Sequence, residues 1–163
     1  MTRARHLTAR APRRTEMTTA ARPGEWVIRL IVVAGLVVDA YVHLDLAGNA
    51  QLAAPGGVGG GTLFRMQAGA AVVVALLLLI TGRRWAYGLA FLAGVSALVP
   101  VLLYTYVDVP AIGPIPSMYD PTWYPQKVLS AVAEAVAVAL AVVGWFVSGP
   151  ARRNARATEA HRW

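Results

Sequence analysis

The sequence predicts an all-α protein, a four-helix transmembrane bundle with both termini in the cytoplasm, and three observations predict it. Hydrophobic residues make up 57% of the 163 positions against 14% charged, with a mean hydropathy of +0.53, a balance that belongs to membrane proteins rather than soluble globular ones. Four apolar runs are each long enough to cross a hydrocarbon core of about 30 Å. Twelve of the fourteen arginines fall in blocks that alternate with those runs: Arg3, Arg5, Arg10, Arg13, Arg14 and Arg22 before the first, Arg83 and Arg84 between the second and third, and Arg152, Arg153, Arg156 and Arg162 after the last. An even number of crossings puts all three blocks on one side, which the positive-inside rule identifies as the cytoplasm. The net charge of +7 therefore reports topology. It gives no reason to expect a nucleic-acid partner, since the basic residues form no patch on a soluble fold.

The basic N-terminal tail, residues 1–22, is rich in Arg, Ala and Thr without apolar periodicity and is expected to be disordered. Met17 opens a stretch, MTTAARPGEW, that reads as an alternative start. The four-helix domain is expected over 23–149, followed by a basic C-terminal tail over 150–163. The first span is expected at about Trp26 to Leu46. A twin arginine at Arg13-Arg14 raises the competing reading of an export signal, but a signal core runs only about 7–15 residues and carries no acids. The second, third and fourth spans are expected at Leu63 to Thr81, Trp85 to Val107 and Lys127 to Val147. Trp26, Trp85 and Trp145 near one set of ends and Tyr41, Tyr104, Tyr106, Trp123 and Tyr124 near the other supply the aromatic belts of a bilayer-embedded protein.

Both connections opposite the arginines lack Lys and Arg. The glycine-rich AAPGGVGGGT, Ala53 to Thr62, reads as a flexible connector. The second, DVPAIGPIPSMYDPTWYP, has five prolines, which forbid a regular helix and leave a stiff, partly apolar loop able to fold over the mouth of the bundle. Small-residue ridges, Ala131-Ala135-Ala139 and Ala133-Ala137-Ala141 on the fourth span and Ala90-Gly94 with Ala93-Ala97 on the third, predict close helix packing.

The spans also hold polar residues that hydrocarbon does not tolerate unpartnered. Asp39 and His43 stand about 40° apart around a helix and share a face, whereas Asp45 points away. Lys127, Ser130 and Glu134 share a face of the fourth span, and Asp39 and Glu134 both lie roughly 10 Å below the non-cytoplasmic boundary at 1.5 Å per residue. Charged groups at such depth cost about 2.5–3.5 kcal/mol on insertion scales and normally face the bundle interior. The candidate ligand-binding set is Asp39, His43, Arg65, Tyr104, Trp123, Lys127, Ser130 and Glu134, in a pocket open to the outside. Two alternatives stand beside it: snorkelling of Arg65, Lys127 and Asp45 to the interface, and a purely structural polar network holding the helices together.

The inventory excludes several chemistries. With no cysteine, disulfides and thiolate metal sites are out. His43 is the sole histidine within a span, so one chain cannot supply bis-histidine haem ligation. No phosphate-binding GK[ST] turn, GxSxG elbow or HExxH helix occurs. A carboxylate-imidazole cation site from Asp39, His43 and Glu134 remains open, with the metal unknown.

HLDLA (His43 to Ala47) and GPIPSMYDPTWYPQK (Gly113 to Lys127) running into AVAEA (Ala131 to Ala135) resemble a family of uncharacterised actinobacterial four-span integral membrane proteins, over roughly Trp26 to Ser148. More distantly, size and plan resemble the DoxX-like membrane proteins, which implies a link to quinone or redox partners. No cofactor motif carries that role over, so the cofactor stays unknown. The reading is of a small, non-enzymatic membrane protein that binds an ion or small ligand or serves as a subunit of a membrane complex. Its partners are the lipid bilayer and a membrane protein or a second copy of itself, and its alternative role is that of a DoxX-like accessory of a quinone-linked oxidoreductase.

Overall fold

The computed structural model describes residues 23–148, so the expectations for the two basic tails lie outside the described residues. Four helices account for most of them: α1 (Pro23–Ala53), α2 (Gly60–Thr81), α3 (Arg84–Tyr106) and α4 (Pro125–Val147). Each is long and apolar enough to cross a membrane. Each helix packs on its chain neighbours and α1 closes the ring against α4, while α1 and α3 face each other diagonally and scarcely touch. The contact between α2 and α3 is the weakest of the four sides. We call the end carrying the α1–α2 and α3–α4 connections the loop end, and the other, where the chain enters and leaves, the terminal end.

The core is built mostly from small side chains. Ala68, Ala71 and Ala75 of α2, Ala86, Ala90, Ala93 and Ala97 of α3, and Ala131, Ala137 and Ala141 of α4 are buried, with Val32, Leu36 and Leu78 as larger fillers. The surface carries the bulk instead: Leu30, Leu76, Ile80, Leu92, Val132 and Phe146 are all exposed. Apolar residues all round each helix and small residues between them suit a bundle held in lipid by close backbone approach, since lipid tails leave no hydrophobic reason to hide a leucine. Of the ridges expected on α4, the face of Ala137 and Ala141 packs inward, while Ala135 and Ala139 face out.

The largest departure from the expected boundaries lies at the α1–α2 connection. Helix α1 continues seven residues past Leu46, to Ala53, and the glycine run does not merely connect. Gly60 and Gly61 open α2 and are buried against the end of α1, where a Cβ on Gly60 would stand 2.6 Å from the Ala50 carbonyl oxygen and one on Gly61 would strike that of Ala47. The absence of side chains there lets the two backbones touch, which extends both helices and shrinks the true connection to Ala54 through Gly59. At the terminal end, Gly82 closes α2 in the left-handed conformation (φ 54°) and its N–H donates to Leu78 O at 2.9 Å, a helix stop that needs glycine.

Candidate functional site

The polar residues of the spans gather in the loop-end half of the bundle. Asp39 and Glu134 are each 1% exposed, on the facing sides of α1 and α4. One turn beyond Asp39, His43 Nδ1 lies 3.0 Å from the Asp39 carbonyl oxygen and 2.7 Å from its Oδ1. Nδ1 is placed to donate to the carbonyl, and the carboxylate oxygen stands beside it without accepting a hydrogen bond. Gln67 reaches over from α2 and its Nε2 donates to Asp39 Oδ2 and to Ala93 O, both at 3.0 Å. The Ser96 hydroxyl of α3 sits 3.1 Å from Gln67 Oε1 and 2.8 Å from Ala93 O. On α4, Ser130 Oγ donates to Glu134 Oε1 at 2.5 Å. Glu134 Oε2 is buried without a partner. One ligand atom each from Asp39, His43 and Glu134 lies within 4.8 Å of the others.

Above this cluster is a cavity of about 560 Å³, walled by all four helices and the proline-rich loop. His43, Gln67, Ser96, Lys127 and Ser130 supply its polar floor and one side, and the remaining wall is largely apolar. The loop closes over it with Ile115, Met118 and Asp120. It holds that position through three attachments: Val58 N–H to Pro114 O at 2.9 Å, Asp120 N–H to Tyr104 O at 3.0 Å, and the Lys127 ammonium, which donates to the Asp120 carbonyl and lies 3.6 Å from its carboxylate. A short antiparallel bridge, Ile112 to Ile115, stiffens its tip. The cavity also has a side opening: Met66, Ala70, Ser96 and Leu103 line it and are exposed on the outer surface between α2 and α3, the loosest seam of the ring. A second hollow of about 280 Å³ near the terminal end, lined by Tyr87, Phe91, Trp145 and Phe146 among others, is a lipid-facing crevice without convergent polar groups.

The structure brings Asp39, His43, Tyr104, Lys127, Ser130 and Glu134 together, in or directly beneath this cavity. Two of the expected residues stand apart. Arg65 is exposed and does not line it, because it is 200° from Gln67 around α2 and only one of the two can face inward. Trp123 is also exposed and acts from outside, with the Lys127 ammonium 5.5 Å from its ring and the Tyr106 ring tilted against it at 6.3 Å. Lys127 does not snorkel. It is 6% exposed and bends under the loop. Asp45 is exposed, as its helical phase requires. The hydroxyl satisfying Glu134 comes from its own helix rather than a neighbour.

Sequence reasoning passed over Gln67, Ser96 and Asp120 as site residues. It also passed over Arg29, which is 6% exposed near the terminal end. Arg29 pairs with Glu25 at 3.1 Å, stacks on Trp26 at 4.3 Å and packs its guanidinium against Gly82. The i, i+4 spacing of Glu25 and Arg29 was the signal available for it. Compared with protein-family models, curated proteins and solved structures, the chain matches none.

Proposed function

We propose that this chain is a non-enzymatic membrane protein that binds a small amphipathic molecule in the loop-end cavity, with the proline-rich loop as its lid. One observation carries the reading: a cavity of about 560 Å³, within the size range of ordinary small-molecule sites, joins mostly apolar walls to a few convergent polar groups on one side. A hydrated ion would leave the apolar wall unused. A molecule with an apolar body and a hydrogen-bonding head matches both parts, with the remaining N–H of the Lys127 ammonium as donor and His43 beside it.

Native mass spectrometry of the protein extracted in mild detergent should show a small molecule bound one to one. Ala97→Phe, which places a ring inside the cavity from a buried alanine, should lose it while the helical circular dichroism is kept. An extracted protein free of any such mass, or equal occupancy in the variant, overturns the reading. The DoxX-like role as a quinone-linked accessory draws on the same cavity, because a quinone is an apolar tail with carbonyl acceptors. Quinone absorbance in the extracted ligand selects that role.

The reading places the chain in the plasma membrane with the cavity facing outward, as the arginine distribution supports. Single cysteines at Gly56 or Ser117 should therefore label with an impermeant thiol reagent from outside intact cells, and one at Arg83 should not. Gly56 is the better position in its loop, since an added Cβ meets nothing there, whereas at Gly57 it strikes Pro114 O. Labelling at Arg83 without labelling at Ser117 reverses the orientation.

A further inference from the structure

We propose that Asp39, His43 and Glu134 form a binding site for a divalent transition-metal cation at the floor of the bundle, independent of what fills the cavity above. Two carboxyl groups lie side by side in the membrane interior, and Lys127, the buried cation of α4, is held by Asp120. Among the described residues, only the His43 imidazole stands beside them as a possible positive charge. A buried polar atom without a partner is costly, the more so if charged. Two such atoms, Asp39 Oδ1 and Glu134 Oε2, are left in one place.

Their arrangement is that of metal ligands. Each carboxylate has one oxygen fixed by an outer hydrogen bond, Asp39 Oδ2 from Gln67 and Glu134 Oε1 from Ser130, and its other oxygen accepts none, that of Asp39 standing 2.7 Å from His43 Nδ1. This is how ligating carboxylates are oriented by the groups around them. Asp39 and His43 stand one turn apart on α1 and Glu134 faces them from α4, so the cation would be gripped between two helices. Bonds of about 2.0–2.2 Å require ligand atoms to be separated by roughly 4 Å or less. The present limit of 4.8 Å closes to that with a small side-chain movement. Two carboxylates and a neutral imidazole also balance a charge of +2. The nitrogen ligand selects a borderline metal such as zinc or iron over magnesium or calcium, which take oxygen alone. A fourth position would open toward the cavity, past His43 and Ser130.

The test uses the full chain, purified in detergent and freed of metal with a chelator. Titration with Zn2+ should show one site per chain and raise the melting temperature, and Co2+ should give the visible absorption of a low-coordinate nitrogen-oxygen site. Glu134→Gln and Asp39→Asn keep shape while each removes a charged ligand, and should weaken Zn2+ binding at least 100-fold. His43→Gln, at a partly exposed position, serves as a third variant where either of the buried ones fails to fold. Ala97→Phe should leave Zn2+ binding intact, so failure of the cavity reading and of the metal site are separately visible. Absence of stoichiometric Zn2+ and Co2+ binding, or binding that survives both Glu134→Gln and Asp39→Asn, overturns the site. A stability that rises as pH falls but ignores both cations also overturns it, in favour of a proton shared between the two carboxyl groups.

Discussion

Gly82→Val is expected to destabilise the bundle by about 3–4 kcal/mol. The left-handed backbone at this position, φ 54°, costs an L-residue roughly 1–2 kcal/mol, and a β-branched one at the upper end. The new Cβ would also run into the guanidinium of Arg29. Arg29 is buried and held by Glu25, so it cannot simply swing away, and overpacking of this kind adds about 1–3 kcal/mol. The two parts can be separated. Gly82→Asn tolerates the backbone but keeps the clash, so it should lose less than valine, and adding Arg29→Ala to Gly82→Asn should restore part of the loss. Denaturant titration in mixed micelles, followed by far-ultraviolet circular dichroism, measures all of them. Equal stability of Gly82→Val and wild type would show that α1 does not lean on the α2–α3 turn as described.

Lys127→Met is expected to release the lid. Methionine keeps the apolar stem of the buried lysine and removes the ammonium that ties Asp120 to α4. A hydrogen bond to a charged group contributes about 1.5–3 kcal/mol. A loss of about 2 kcal/mol corresponds to roughly a 30-fold rise in the population of open loop. Hydrogen exchange at the Asp120 amide, which donates to Tyr104 O at 3.0 Å, should quicken by that factor, while amides in the middle of α4 keep their protection. If Asp120 exchanges at the wild-type rate, the loop is held by Tyr104 and Pro114 alone and Lys127 has another purpose.

How far the site was legible follows from what helical phase can say. It puts Asp39 with His43, and Lys127 with Ser130 and Glu134, on common faces, and each of these sets is found together. Depth counting likewise paired Asp39 with Glu134, and the two do meet across α1 and α4. Phase within one helix says nothing, however, about which face meets a neighbour when every face is apolar. That is why Arg65 rather than its neighbour Gln67 entered the expected site. The burial of Lys127 was hidden for a different reason. Near a membrane boundary a lysine reaches water as easily as a partner, and only the path of the proline-rich loop, set by contacts distant in sequence, decides between them. The overrun of α1 to Ala53 was similarly out of reach, because the close approach that stabilises it belongs to Gly60 and Gly61 on another helix.

The seam between α2 and α3 determines where a ligand would come from. An opening flanked by Met66, Ala70 and Leu103 on the apolar surface gives onto acyl chains and not onto solvent, so the relevant supply is the amount dissolved in the bilayer. Each methylene favours that phase by about 0.8 kcal/mol. A tail of about five carbons therefore enriches its bearer there roughly a thousandfold over the aqueous concentration. A molecule present in water at micromolar levels would reach the opening at millimolar ones. The pocket could then be filled with an intrinsic affinity no better than millimolar, and exchange fast enough to hand its occupant on.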